Sequence, residues 1–449
     1  MSLPLAAQGS APVQPEPQQG DGVNPWSTYS GIKDNVNLVN GNLSFCIPLV
    51  SLPGPQMPPG LPAFNLDIPL CYNSNFETVW TTGETGEGSV LSWFPWTWAA
   101  NTPPMGPGWS LTGHPGLFDQ SGTSSTGYPL ASMPDGSTYS FEGWSGPQAS
   151  PGWQQDAQGA DLFMTAYDRG PLYLKNGISV TPTCTSGSSC TGANQYNEVE
   201  TDTQGDAINF TANSVTDAVG RTVTINSTSS AMTFSYPNPA GSGTLTVTVQ
   251  FENVAFTCNG GSEVGINQPV GTYSMPTAVI LPNGLEYTFQ YDNCGLLRQI
   301  NYPDGGYTRY SYTEVQLAVI AGANDYYPYP VDEVTQKAVC PVPASVTSYT
   351  EDQCPVPEQV TTYAPVSGGY NNSQDTVTDP AGNYTVYQFS QADPLGAAES
   401  QAAETSRAIY GPSGNLMKTV TTTYVTSANE AACLTGGASE DIPTVPATQ

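Results

Sequence analysis

The sequence predicts an all-β protein, and three observations carry that reading. Turn formers and strand formers are plentiful: the chain holds 46 Gly, 41 Pro and 25 Tyr, a mix that favours strands joined by tight turns. Charged helix formers are scarce, with 9 Lys and Arg in total, and no long stretch sets apolar residues at helical spacing between caps. Finally, runs that alternate apolar with small or polar residues recur, each bounded by Pro or Gly.

The elements follow in chain order. Residues 1–24 are rich in Pro, Gln, Gly and Ala. Such a stretch buries too little apolar surface to offset the entropy of ordering, so it reads as a disordered leader. The first residues have no basic flank and too short an apolar stretch for a signal peptide. Ordered chain is expected from near Trp26, opening a β-rich part over residues 25–275. Within it Leu43, Phe45 and Ile47 alternate with smaller or polar residues, and so do Leu66, Ile68, Leu70 and Tyr72. A Pro- and Gly-rich stretch lies between the two runs, so together they predict a long hairpin. Gly106-Pro-Gly-Trp-Ser-Leu111 reads as a turn feeding a further strand.

A repeat follows. Pro134-Asp135-Gly136, Pro282-Asn283-Gly284, Pro303-Asp304-Gly305 and Pro380-Ala381-Gly382 each have an aromatic five residues after the Gly: Phe141, Phe289, Tyr310 and Tyr387. Three copies carry a second aromatic two residues later, at Tyr291, Tyr312 and Phe389. Pro presets φ, Asp or Asn tolerates the turn, and Gly takes the positive φ. Aromatics two apart share one strand face. Gly284 and Gly305 are 21 residues apart, room for one hairpin per repeat, and stacked hairpins bury a face that one alone could not. The repeat segment is read as residues 276–425, with a polar tail over 426–449.

Residues 283–312 resemble the YD repeat of RHS-type proteins. The resemblance rests on Tyr291-Asp292, then Gly295, Leu297 and Ile300, then Pro303-Asp304-Gly305. Asp379 to Phe389 with Tyr410-Gly-Pro-Ser-Gly-Asn-Leu416 is similar to a degenerate copy, and residues 38–73 with Gly106-Pro-Gly-Trp109 resemble the region before the repeats in that family. The resemblance implies an N-terminal β-rich domain followed by stacked hairpins wound into an open or partial shell, often ahead of a C-terminal effector. One clear repeat pair is too few to close a container.

Chemistry has few candidates. Ser-His-Asp and Cys-His mechanisms need an imidazole, and the single histidine, His114, sits in a Gly/Pro turn. The repeat acids Asp135, Asp292 and Asp304 occupy positions where Asp bonds its own backbone. No metal, cofactor or catalytic constellation is expected. Phe94, Trp96 and Trp98 would share one strand face and are candidates for stacking on sugar rings, with a buried core as the alternative. Nine cysteines include no C-x2-C pair, which argues against a zinc ribbon. Cys184 with Cys190, and Cys340 with Cys354, flank short loops that a disulfide could close, consistent with an oxidising compartment. Buried free thiols are the alternative.

The net charge of −29 repels nucleic acid and anionic membranes, and no apolar run is long enough for a membrane span. The function these readings lead to is a secreted or surface scaffold of the bacterial envelope, not an enzyme. It would act in self-association, adhesion or encapsulation, partnered by its own copies or by the remainder of a larger RHS-type chain. A glycan-binding module, with or without carboxylate hydrolase activity, and the carrier part of an RHS-type toxin are the alternatives.

Overall fold

The computed structural model describes residues 34–39, 41–55, 63–74, 78–82, 88–92, 105–111, 116–119, 129–132, 138–140, 154–155, 163–164, 171–174, 177–184, 196–211, 213–239, 241–258, 266–267, 271–320, 326–342, 353–367, 372–389 and 404–423. The leader over 1–24 and the tail over 426–449 lie outside these residues. The described chain is all-β.

One antiparallel sheet of 20 strands forms the frame, from Gln154–Gln155 at one end to Leu416–Thr421 at the other. Each strand pairs with the next in the chain, except that Ile266–Asn267 leaves to pair with Thr78–Thr82. The sheet does not close into a barrel. It runs without interruption through residue 275, because Thr244–Phe256 pairs with Gly271–Ile280 and that strand pairs with Glu286–Tyr291.

A recurrent five-residue turn makes this meander. In it the amide of the first residue donates to the carbonyl of the fifth, and the amide of the fourth, always Gly, donates to the carbonyl of the first. It occurs at Leu174–Ile178, Asp202–Asp206, Asp217–Arg221, Leu281–Leu285, Asp292–Leu296, Tyr302–Gly306, Asp379–Asn383 and Gly411–Asn415. The fourth residue is forced to positive φ, 86° at Gly295 and 78° at Gly414, which a side chain would resist. This is a type I turn closed by a Gly bulge, a hairpin connection whose twist suits flanking strands. Among the described residues, the turn that the Pro-x-Gly signal shows at 282, 303 and 380 thus first occurs about a hundred residues earlier, at Gly177 (284 − 177 = 107).

Several turns carry a second signal. Asp217 Oδ1 accepts from the amides of Val219 and Arg221 at 3.1 and 2.7 Å. Asp292 Oδ1 accepts from Cys294 and Leu296, both at 2.9 Å. Asp202 and Asp379 do the same. Of the acids singled out in the sequence, Asp292 holds its own backbone as its position implies, and Asp135 lies outside the described residues.

One face of the long sheet is apolar. Ile225, Phe234 and Val247 stand opposite one another on three successive strands and are almost fully buried. The opposite face is polar, with Thr222, Thr224, Thr244 and Thr246 in solvent. Strict alternation places the two sets on opposite sides.

A four-stranded sheet covers the apolar face. It orders Asp34–Val36, Leu43–Leu52, Leu66–Asn73 and Trp109–Ser110 side by side. The long hairpin forms as its alternation predicts, with Phe45 opposite Tyr72 and Ile47 opposite Leu70. Gly106-Pro-Gly-Trp109 delivers a strand onto it. Leu43, Ile47, Leu66, Ile68 and Leu70 join Phe210, Phe234, Val249, Phe289 and Ile300 in one core. Two layers of sheet thus share their apolar faces, which gives an antiparallel sheet its stability.

Among the described residues, three disulfides brace the two sheets, each within one layer. Cys46–Cys71 crosses the N-terminal hairpin, Cys258–Cys294 ties the Asp292 turn to the end of strand Thr244–Phe256, and Cys340–Cys354 closes a loop of the long sheet. Cys184 ends strand Ser179–Cys184, and its candidate partner Cys190 lies outside the described residues.

Candidate functional site

The described residues bring their densest chemistry together where the N-terminal sheet sits in the long sheet. The seat has an aromatic half and a polar half. In the aromatic half, Trp109 packs on Tyr72 at 5.0 Å between centroids and on Phe289 at 4.9 Å. Phe45 meets Trp109 edge-on at 5.7 Å. The Tyr72 hydroxyl accepts the backbone amide of Leu297 at 2.9 Å, and Tyr312 donates to the Leu297 carbonyl at 3.0 Å. Tyr291 donates to the Pro276 carbonyl. Burial pushes the hydroxyls of Tyr72, Tyr291 and Tyr312 well above the phenol range.

The polar half is built by the turn from Asn37 to Asn42. The Asn37 amide donates to the Asn42 carbonyl at 2.8 Å, and the Gly41 amide to the Asn37 carbonyl at 2.7 Å. Asn37 Oδ1 accepts the Val39 amide at 2.8 Å. The tip of the turn then docks by backbone. The Gly41 carbonyl accepts the Val334 amide at 3.0 Å, and the Val39 carbonyl accepts the Asn372 amide at 2.9 Å. Leu38 and Val39 are buried with Tyr387 and Phe389, flanked by Tyr363 and Val377. Gly41 has φ of 65°, and a Cβ added there would fall 2.2 Å from Cβ of Glu333. Only glycine fits that approach.

Beneath the turn lie charges. Asp34 Oδ1 accepts from Lys337 Nζ at 2.6 Å, and both side chains are buried. Tyr310 donates to the other Asp34 oxygen. Glu333 is 0 % exposed, and Glu333 Oε2 accepts from Asn372 Nδ2 at 3.0 Å. The same Nδ2 reaches the Leu38 carbonyl at 3.3 Å. Asp375 accepts the Ala364 amide at 2.9 Å. Burial, reinforced by Asp375, pushes the Glu333 carboxyl up to about 7. Burial pushes Asp375 up to about 7 as well, against its backbone hydrogen bonds. On the other side of the strand, burial with Asp292 and Glu314 nearby raises Asp332 to about 6.

The repeat aromatics belong to this seat. Phe289, Tyr310, Tyr387 and Phe389 are buried and Tyr291 and Tyr312 are half-buried, so they pack inward instead of presenting rings to solvent. The turn residues Pro282, Asn283, Gly284, Pro303, Asp304, Gly305, Pro380 and Gly382 sit at the tips of hairpins. Pro134, Asp135, Gly136 and Phe141, with Phe94, Trp96, Trp98 and His114, lie outside the described residues. Among the described residues no group of three or more His, Cys, Asp or Glu could hold a metal ion.

Sequence reasoning did not find Asp34, Glu333, Lys337, Asn372 or Asp375. Lys337 carries a weak signal: it is one of 9 Lys and Arg in the chain and lies in an otherwise uncharged stretch, Val334 to Val339. Glu333 and Asp375 carry none, since nothing local marks them as buried.

No family model matches the chain, and no curated protein matches it. Among solved structures, a crystal structure of TcdB2-TccC3-TEV aligns over 86% of this chain and 22% of its own, at 8% identity and a TM-score of 0.13.

Proposed function

We propose that this chain is a structural scaffold of the YD-repeat type, extended at its open end by further hairpins, and not a catalyst. The observation that carries the reading is the terminal strand Leu416–Thr421. It pairs with Glu404–Tyr410 on one side, and among the described residues no strand pairs with its other side. Leu416 and Met417 on it are 57% and 59% exposed. An antiparallel edge with free backbone groups and apolar side chains takes another strand readily. A hairpin closed by the same five-residue turn continues the meander with no change of geometry. It comes from a second copy of this chain or from more chain of the same kind.

The inward packing of the repeat aromatics supports a building role over a sugar-stacking one. The net charge of −29 disfavours nucleic acid as a partner. The three disulfides among the described residues support a secreted or cell-surface setting, where thiols stay oxidised.

Sedimentation velocity over a wide concentration range tests the reading. The wild type should associate as concentration rises, and Leu416→Lys with Met417→Lys should abolish this without lowering the thermal midpoint. A wild type that stays monomeric throughout, in the presence of excess hairpin peptide 404–423 as well, rejects edge extension.

A further inference from the structure

Glu333 and Asn372 form an unfinished pair. One hydrogen bond joins them, from Asn372 Nδ2 to Glu333 Oε2 at 3.0 Å. The remaining oxygens, Glu333 Oε1 and Asn372 Oδ1, are both buried and both lack a donor. Both residues are 0 % exposed. Two orphaned acceptors on planar groups already joined at one corner lack the same thing, a hydrogen between them. Leaving both unmet would be costly, and a buried carboxylate without a cation more so.

We propose that Glu333 holds a proton in the folded protein and donates it to Asn372 Oδ1, closing a carboxyl–carboxamide ring that fastens the N-terminal sheet in its seat. The ring lies under Gly41, whose carbonyl accepts the Val334 amide, and beside Leu38, whose carbonyl shares Asn372 Nδ2. A proton at this point therefore bears on the attachment of one layer to the other.

The charges around it favour the neutral acid. From strand Asn372–Thr378 comes the carboxyl of Asp375, which adds to the cost of ionising Glu333. Lys337, on the same strand as Glu333, is engaged with Asp34 of the N-terminal sheet at 2.6 Å. Tyr310, which donates to Asp34, and Tyr363 and Tyr387, which pack with Leu38 and Val39, are each held in the neutral form by burial.

The direction of the pH effect follows. The folded-state value of about 7 lies above the ordinary 4.5, so the folded chain holds a proton that the unfolded chain has lost. The contribution is full below about pH 4.5 and disappears as pH rises through about 7. The fastening is tight in acid and loosens toward alkaline pH. Over that interval one retained proton changes the folding equilibrium by on the order of a hundredfold.

Glu333→Gln in the full chain tests this, because the carboxamide keeps both hydrogen bonds and cannot ionise. The infrared carbonyl stretch of protonated carboxyls is followed with urea unfolding from about pH 5 to about pH 8. In the wild type the band should fade with a component near pH 7. In Glu333→Gln the Glu333 share of that component should be missing, leaving the share of Asp375, which burial also pushes up to about 7, and the stability lost on raising the pH should shrink by on the order of a hundredfold in equilibrium constant. An unchanged band and an unchanged pH dependence in the variant overturn the proposal. Should Glu333→Gln fail to fold, Asp375→Asn decides: a surviving component near pH 7 supports the proton on Glu333, and its absence overturns it.

Discussion

The seat and the far end of the long sheet are made by the same local rules and end in opposite states. At the Asp292 turn and at the Gly411 turn the backbone closes with the same two hydrogen bonds and the same positive-φ glycine. Yet Leu297, just after the first turn, is 0 % exposed, and Leu416, just after the second, is 57% exposed. The N-terminal sheet lies over the first and not over the second. Turn chemistry therefore decides where strands form, and coverage by a second layer decides which of them hold the core. The comparison also separates two kinds of interaction. Contacts within a hairpin are local and repeat along the sheet, whereas contacts in the seat join residues hundreds of positions apart.

Matched substitutions at the two ends break or sharpen this contrast. The largest difference is expected between two lysines. Lys337→Ala strands Asp34 as a buried, unpaired carboxylate and should cost about 3–5 kcal/mol in urea unfolding. Lys418→Ala, on the exposed terminal strand, should stay within about 0.5 kcal/mol. Equal effects would mean that the Asp34 pair is not sealed from water.

Next come two turn glycines. Gly295→Ala would drive a Cβ to 2.2 Å from the Phe256 ring, so overpacking of about 1–3 kcal/mol adds to a left-handed backbone cost of about 1–2 kcal/mol. At Gly414 the nearest atom is 3.7 Å away, and only the backbone cost of about 1–2 kcal/mol applies to Gly414→Ala. Thermal unfolding followed by circular dichroism measures both.

The smallest contrast concerns the turn acids. Asp292→Ala and Asp379→Ala each remove two backbone hydrogen bonds, and each should cost about 1–2 kcal/mol. A gap wider than about 1 kcal/mol in matched urea unfolding would mean that the covered turn is coupled to the sheet above it.

Much of the hairpin frame was legible. The alternation of Leu43, Phe45 and Ile47 against Leu66, Ile68 and Leu70 named both strands of the first hairpin and its buried face. The Pro-x-Gly spacing named three of the tight turns. The earlier copies at Asp202 and Asp217 carry no proline; the constant feature is the glycine at the fourth position, which must adopt positive φ. A pattern of Asp-x-x-Gly would have found them. The bridge Cys46–Cys71 joins residues that face each other in register, but spacing alone does not choose one pairing among nine cysteines. The seat was not legible at all. Asp34 and Lys337 are separated by 303 positions, and no periodicity links them.

The sequence by itself determined the class of structure, because φ preferences, turn chemistry and alternation act over a handful of neighbouring residues. It determined that aromatics recur on one face of the repeat hairpins. The tertiary structure decided what that face meets. It set Tyr310 against Asp34, laid Gly41 on Glu333 and left Leu416 in solvent. The physical reason is that burial, and with it the cost of a charge or an unpaired oxygen, depends on what lies across the core, and that partner comes from a distant part of the chain.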